Sequence, residues 1–93
     1  MAANVVTWEH LVAYLVADAR QQAPFLQQMW PGRQFPKYAA LSLMPQLDYY
    51  GQQGWELVSI QPVDVGSNGD ILIHAGQAIS YSYTYLCVFK RQK

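Results

Sequence analysis

The side chains best suited to metal or nucleophilic chemistry are two histidines, His10 and His74, and a single cysteine, Cys87. A zinc site needs three or four ligands, usually with close paired spacing, and these residues lie far apart along the chain. Cys87 is followed by Val88 and Phe89 in an apolar strand pattern. Reactive thiols need an exposed, electropositive setting, so the pattern predicts a buried, inert thiol. We expect no metal and no cysteine nucleophile.

Two other arrangements resemble chemical sites only in part. Residues 64–70 begin like a calcium-binding loop, but Ala75 stands where the closing bidentate glutamate should be. The pair Asn68-Gly69 predicts an ordinary tight turn instead. A hydrolytic triad can be drawn from Ser59, His74 and Asp70. Closeness in sequence is no evidence for a triad, and the sequence has no phosphate-binding loop, dinucleotide fingerprint or nucleophile elbow. We therefore predict a protein that is not an enzyme and uses no cofactor.

Three tyrosines at two-residue spacing, Tyr81, Tyr83 and Tyr85, are the most suggestive feature. On a strand their rings stand along one face, about 6–7 Å apart. They suit a core on the side opposite the helix, a subunit interface, or a platform that stacks the bases of single-stranded nucleic acid. The platform needs cations nearby, and residues 38–89 contain no Lys or Arg. Base stacking therefore ranks last of the three.

Charge is scarce and unevenly placed in this chain. Of the 93 residues, 52% are hydrophobic and only 13% are charged, against about 25% in typical domains. Residues 38–89 are acidic, whereas Lys90, Arg91 and Lys93 make the C-terminal end basic. Nucleic-acid binders usually carry a basic stripe over the folded face. We interpret the terminal cluster as a solubilising end.

The length predicts one domain over residues 1–93, since compact domains run to about 100–150 residues. The aromatic content argues against disorder, and a single Cys excludes a disulfide-stapled fold. No stretch approaches the roughly 20 apolar residues of a membrane helix. Residues 1–4 have no positive charge, so we expect no signal peptide and a cytoplasmic location.

Residues 5–18 fit either a strand or a helix. As a strand, the even-numbered side chains from Val6 to Val16, His10 among them, share one face, and Leu11, Ala13 and Leu15 share the other. As a helix, Thr7 would be the N-cap. The β-branched and aromatic content favours the strand and the alanines favour the helix, so both remain open.

Residues 21–37 are rich in Pro and Gln, and we predict an irregular excursion with a short strand around Gln34. Trp30-Pro31-Gly32 predicts a turn. Met29, Trp30 and Phe35 are typical of interface cores, although they could also simply cap the sheet. A small-ligand site near Trp30 and Trp55 is a further hypothesis.

Residues 42–53 predict the main helix, with Ser42 as N-cap and an inward stripe of Leu43, Leu47 and Tyr50. Gly54 stands where a helix C-terminus favours a left-handed residue. Residues 55–65 predict a strand with apolar side chains on both faces, as in a central strand, with Pro62 at its end or at an edge.

The remaining strands follow the turn at residues 66–70. Residues 71–73 predict a short strand and residues 79–90 a long one. On the long strand the tyrosines share a face with Cys87 and Phe89, whereas Leu86 and Val88 lie on the other face. We expect the helix to cover the face of Leu86 and Val88.

The run from Leu47 to Ile60 resembles the signature of the DUF4177 family, whose helix ends in a glycine-tryptophan-glutamate-leucine-valine motif. The motif is matched here by five consecutive residues, Gly54, Trp55, Glu56, Leu57 and Val58. Trp8-Glu9 and Phe89-Lys90-Arg91 are similar to the opening and closing strands of the family. The resemblance implies an α+β unit in which residues 5–18 form a strand, and it implies no chemistry. From the residue types, Trp55 should pack across the helix–sheet seam and Glu56 should point outward, while Leu57 and Val58 carry the sheet into the core.

Together these patterns predict an α+β domain, an antiparallel sheet of three to five strands with one main helix on one face. The other face, lined by the tyrosines, would be uncovered. A domain of 93 residues buries only about 60–70% of its unfolded surface, so self-association is a common supplement. We predict a non-enzymatic interaction module that forms a homo-oligomer or a small subunit of a larger assembly. Single-stranded nucleic-acid binding through the tyrosines and the basic tail is the alternative.

Overall fold

A computed structural model describes residues 5–65, 68–72 and 83–93 of the chain. Its elements, in order, are β1 (Trp8–Val16), α1 (Ala23–Met29), a 3-10 turn (Ala40–Leu43), α2 (Met44–Gly51), β2 (Glu56–Val65), β3 (Ile71–Leu72) and β4 (Thr84–Gln92). The α+β class with an antiparallel sheet is therefore confirmed. None of the helices in these ranges combines the length and apolarity that crossing a bilayer requires.

The strands of the described ranges form one antiparallel sheet in the order β1-β4-β2-β3. β4 lies at the centre, pairing with β1 from Trp8↔Gln92 to Val16↔Thr84 and with β2 from Glu56↔Lys90 to Val63↔Thr84. β3 adds only a two-residue pairing beside the end of β2. The long strand of the sequence pattern is thus the central one, and the part of it before Tyr83 lies outside the described residues.

Within residues 5–18, Trp8–Val16 form the strand β1, so the choice of a strand implied by the resemblance is confirmed. Their β-branched and aromatic side chains suit a pleated surface. The alternation is as expected: Leu11, Ala13 and Leu15 point to the helix layer, and the even-numbered side chains point to the opposite face. The small side chain of Ala13 leaves room for a helix to approach this side of the sheet.

The core lies between the helix layer and one face of β1 and β4. Its buried members are Leu15, Ala17, Leu43, Cys87 and Phe89, and the partly buried members packed on them are Leu11, Ala13, Leu47, Tyr50, Trp55 and Tyr85. The predicted inward stripe of Leu43, Leu47 and Tyr50 is confirmed. The ring centroids of Tyr50 and Phe89 lie 4.7 Å apart across the seam.

The N-terminal half of the helical segment differs from the prediction. Residues Ala40–Leu43 form a 3-10 turn before α2, and Ser42 is not the N-cap. Its buried hydroxyl instead donates to the carbonyl oxygen of Ala39 at 2.6 Å, which satisfies it within the turn. Pro45 stands in the first turn of α2, as expected, where its missing N–H has no intrahelical role.

The predicted irregular excursion is wrong over Ala23–Met29, which form the helix α1, and no strand forms around Gln34. Proline breaks the interior of a helix, but Pro24 occupies the first turn of α1, where proline is tolerated. The Asp18 carboxylate accepts the N–H of Arg20 and of Gln21 at 2.9 and 3.3 Å and shapes the turn before the helix. Gly32, with φ +77°, confirms the turn that follows.

Candidate interaction surfaces

The face of the sheet turned away from the helices is broad and apolar. We call it the open face and define it by the even-numbered side chains of β1 and β4 together with Ser59 and Gln61 of β2; Val63, farther along β2, is buried and is not part of it. The register places Val12 beside Val88, Tyr14 beside Leu86 and Val16 beside Thr84. Val12 is 61% exposed, Tyr14 44% and Val16 42%, although their chemistry favours burial.

Charged groups are confined to one end of the open face. Lys90 lies opposite Glu56 in the register and its Nζ lies 4.6 Å from the centre of the Trp8 ring. His10 is the direct cross-strand neighbour of Lys90. At the opposite end, the Tyr14 hydroxyl lies 3.5 Å from the carbonyl oxygen of Gly69 in the turn after β2. The strip between these ends carries no charge.

Tyr83 and Tyr85 lie on the helix side of the sheet and not on the uncovered face, so for these two residues the predicted placement is wrong. Tyr85 packs against the core on the same side as Cys87 and Phe89, under the helix layer. Tyr83 stands just before β4 and stacks on Tyr38, with ring centroids 4.7 Å apart and planes 19° apart. Tyr81 lies outside the described residues. The helix covers the odd-numbered face of β4, so Leu86 and Val88 are left on the open side.

The predicted interface residues of the 21–37 segment lie around the end of α1. Met29, on the last turn of the helix, is half exposed, and Trp30 packs edge-on against Phe35 with ring centroids 6.0 Å apart. The side-chain amide of Gln27 fastens the turn: it donates to the carbonyl of Arg33 at 2.9 Å and accepts the N–H of Gly32 at 3.1 Å. Trp30 and Phe35 therefore form one small, partly exposed contact after Met29, and it is separate from the open face.

A shallow groove of about 380 Å³ lies between α1 and residues 33–37, and Arg20, Arg33 and Lys37 all line it. Within the described ranges none of the three has a carboxylate partner at salt-bridge distance. The Arg33 guanidinium lies 5.3 Å from the centre of the Phe35 ring, and the Lys37 ammonium lies equally far from that of Tyr38. This concave basic surface was not predicted, because its cations are separated by 13 and 4 positions in the sequence.

The motif that carries the family resemblance terminates the helix α2. Gly54 adopts φ +87°, its N–H bonds to the carbonyl of Gly51 at 3.0 Å, and the N–H of Trp55 bonds to the carbonyl of Tyr50 at 3.1 Å. This is the Schellman pattern of helix termination. Trp55 packs at the helix–sheet seam and Glu56 is exposed, as predicted.

Leu57 and Val58 do not enter the core, contrary to prediction. Leu57 is 36% exposed and Val58 is 53% exposed, and a register irregularity separates Leu57 from Ser59. The core cluster under the helix layer takes its strand residues from β1 and β4, whereas the buried residue of β2, Val63, lies outside that cluster. Within the described ranges, β2 has β4 on one side and pairs with β3 only at Asp64 and Val65, so Pro62 lies where no second described strand pairs with it.

Arg91 joins three elements beside this motif. Its Nε and Nη2 both lie 2.6 Å from Oε1 of Glu9 on β1, and its Nη1 donates to the carbonyl of Gln53 at 2.9 Å. The guanidinium also stacks 4.1 Å from the centre of the Trp55 ring. The predicted solubilising tail thus contains one residue with a structural role.

The described residues contain no catalytic constellation. Cys87 is fully buried, and burial raises the pKa of its thiol, so the neutral form dominates. No group of three or more His, Cys, Asp or Glu side chains able to hold a metal occurs in the ranges described. Asn68 and Asp70 bond to each other within the turn at 2.7 Å, while His74 lies outside the described residues.

No protein-family model, no curated protein and no solved structure matches this chain. The DUF4177 resemblance therefore stays a prediction, and no step below depends on it.

Proposed function

We propose that this chain is a non-enzymatic interaction module that self-associates through its open face. The supporting observation is the uncharged apolar strip of Val12, Tyr14 and Val16 beside Leu86 and Val88. Contiguous apolar surface of this kind is rare on monomers unless it binds something. A cytoplasmic location is part of the same proposal.

The size of the open face suits a reversible contact. Strands of nine residues span about 30 Å, and three neighbouring strands about 14 Å, so the flat footprint is roughly 400 Å² on each copy. Side-chain relief makes the accessible area larger, and two faces together would bury on the order of 1,000 Å². This is the lower end of specific interfaces, so we expect association that depends on concentration.

A second copy is favoured as the partner because the strip carries no charge for another protein to complement. Charged partners at the rim, such as Lys90 and Glu56, are of both signs and lie opposite each other in the register. An apolar strip pairs with its own copy without placing like charges in contact. The proposal is therefore a homo-oligomer, and its contact does not need Tyr81, Tyr83 or Tyr85.

The test is a charge placed at the centre of the open face. Leu86→Lys puts an ammonium on β4, where the long stem can still reach solvent in the isolated chain. We expect the weight-average mass at micromolar concentration to fall and the dissociation constant to rise about tenfold or more, because the charge would be desolvated in the contact. Sedimentation velocity measures both.

Tyr49→Lys is the matched control, since Tyr49 is 61% exposed on α2, on the opposite layer of the molecule. It should leave the mass unchanged. A wild-type chain that is monomeric at every concentration, or a Leu86→Lys chain with the wild-type mass, would contradict the proposal.

Nucleic-acid binding through a tyrosine-lined face has less support. Tyr85 packs into the helix-side core, and Arg91 of the basic tail is engaged by Glu9 and Trp55. The two groups that this alternative needs free are therefore occupied within the chain.

A further inference from the structure

The outer edge of β1 presents an ordered row of main-chain hydrogen-bonding groups. The N–H of Ala17 donates to the carbonyl of Tyr83 at 2.8 Å, and the N–H of Lys93 donates to the carbonyl of Thr7 at 3.0 Å. In an antiparallel ladder the residues that bond to the neighbouring strand alternate. The odd-numbered residues of β1 therefore bond to β4, and the even-numbered residues direct their N–H and C=O groups away from it. These are Trp8, His10, Val12, Tyr14 and Val16.

No strand of the described ranges pairs with this edge, because β1 is the last strand of the sheet. One of these outward main-chain groups has a side-chain partner: the carbonyl of Val16, at the end of β1, accepts a hydrogen bond from the Gln46 side-chain amide at 2.8 Å. Unpaired edges of this kind readily accept another strand.

The opposite side of the sheet, at β2, differs from the β1 edge because it has features that hinder pairing with another strand. β2 contains Pro62, has a register irregularity between Leu57 and Ser59, and is partly covered by β3. β1 has nine residues with no Pro, no Lys and no interruption of its register. Proteins usually block an exposed edge with one of these devices, and only the β2 edge carries them.

We propose that the β1 edge pairs antiparallel with β1 of a second copy, which gives one continuous sheet. In the register centred on Val12, Val12 faces its own copy, Trp8 faces Val16 and His10 faces Tyr14. Aromatic and β-branched side chains are favourable cross-strand neighbours. About ten main-chain hydrogen bonds would form, two for each directly opposed pair, once Gln46 releases Val16.

The charge pattern of β1 is compatible with this pairing. Glu9 is the only acidic residue of the strand, it bonds to Arg91 within its own chain, and it would lie opposite Leu15 of the second copy. No like charges meet in this pairing, because the carboxylate of Glu9 stays paired with Arg91 of its own chain.

The two-fold axis of such a pair runs perpendicular to the sheet, so both helix layers lie on one side and both open faces on the other. Edge pairing therefore leaves the open face free and doubles its area. The inference goes beyond the proposed face contact and does not rest on it, because the two surfaces use different atoms.

The test compares His10→Pro with His10→Ala, both made in the Leu86→Lys chain, where the open face is blocked. Proline removes the outward N–H of residue 10 and places its ring at the edge, without removing a hydrogen bond between β1 and β4. We expect the Leu86→Lys chain to retain a dimer, His10→Pro to raise its dissociation constant about tenfold or more, and His10→Ala to change it by less than about threefold. Circular dichroism checks that each variant folds.

Amide hydrogen exchange on the Leu86→Lys chain keeps the inference testable if the proline variant fails to fold. At concentrations where the dimer forms, the amides of His10, Val12 and Tyr14 should be protected, and dilution should expose them while Leu11 and Ala13 stay protected. A monomeric Leu86→Lys chain, or free exchange of the even-numbered amides in the dimer, overturns edge pairing. The first result would still leave the open-face contact supported, so the two proposals fail separately.

Discussion

At the scale of single residues, Arg91 is the most connected side chain of the described surface. It bonds to Glu9 at the start of β1, to the carbonyl of Gln53 after α2, and stacks on Trp55 at the entry to β2. The side chains of Arg91 and Glu9 are about one-third exposed, so their ion pair contributes little to the stability of the fold. The stacking on Trp55 and the hydrogen bonds of the planar guanidinium contribute more.

Arg91→Ala should therefore lower the free energy of unfolding by about 1–2 kcal/mol, since it removes a cation–π contact, a main-chain hydrogen bond and a partly exposed ion pair together. Arg91→Lys should restore part of the loss but not the planar contacts. Urea denaturation measures the change. Lys93→Ala is the control, because the Lys93 side chain is exposed at the end of the chain; equal losses in the two variants would show that Arg91 has no special role.

Cys87 shows the opposite use of a polar side chain. It is fully buried between β1 and β2 in the central strand, and its only close polar group is the carbonyl of Tyr85, 3.9 Å from the sulfur. A small side chain at this position lets the helix layer approach the sheet. Burial raises its pKa and keeps the thiol neutral, so its role is packing.

At the scale of elements, the connection from α2 to β2 depends on one backbone conformation. Gly54 has φ +87°, and a Cβ there would lie 3.3 Å from Cδ of Arg91. Both the left-handed conformation and the crowding oppose a larger side chain. Gly51, three residues earlier, has no atom within 4 Å of such a Cβ and ends the helix.

The two glycines give a matched pair of substitutions. Gly54→Ala should lower the free energy of unfolding by about 1 kcal/mol or more, because alanine is strained at positive φ. Gly51→Ala should raise it by about 0.5–1 kcal/mol, because alanine favours the helix. Thermal unfolding of both variants measures the difference. Opposite signs are the expected result, and a neutral Gly54→Ala would mean that the Schellman turn is not needed.

The first helix shows why a short element can be missed altogether in the sequence pattern. Pro24 breaks the pattern when the segment is considered alone, but it occupies the one part of a helix that tolerates proline, as Pro45 does in α2. A seven-residue helix is marginal by itself, and α1 is held by the burial of Leu26 and by the hydrogen bonds around Asp18. Neither the burial of Leu26 by tertiary contacts nor the local hydrogen bonds of Asp18 can be inferred from the hydrophobic periodicity of the sequence.

At the scale of the whole molecule, scarcity of charge and exposure of apolar surface have one explanation in the proposed assembly. Only 13% of the residues are charged, and the strip from Val12 to Val88 carries none of that charge. A second surface, the β1 edge, uses main-chain groups of the same residues. Both surfaces would be covered by copies of this chain.

Stability should consequently depend on protein concentration. Association contributes to the folded state by mass action, so a tenfold increase in concentration should raise Tm by about 3 °C for a domain of this size. Differential scanning calorimetry over two decades of concentration measures it. Leu86→Lys should weaken the dependence without removing it, because the β1 edge can still pair, and a constant wild-type Tm would count against both contacts.

For residues 5–18 the sequence pattern by itself left strand and helix open. It did determine the helix and the strand on either side of Gly54, the helix end at that glycine and the burial of Cys87. Each depends on local rules: side-chain period, turn conformation and the chemistry of one group. The tertiary structure alone decided which face the helix covers. Both faces of β4 are apolar, so the pattern allowed either choice.

The physical reason lies in side-chain volume across neighbouring strands. Ala13, Ala17 and Cys87 on the odd-numbered side leave room for α2 to pack closely, whereas Val12, Tyr14 and Val88 on the other side would hold it away. That comparison requires knowing that β1 lies beside β4, a pairing between residues 68 to 84 positions apart. Among the described strands the same pairing leaves the outer edge of β1 without a partner, so the candidate surfaces followed from the topology rather than from any motif.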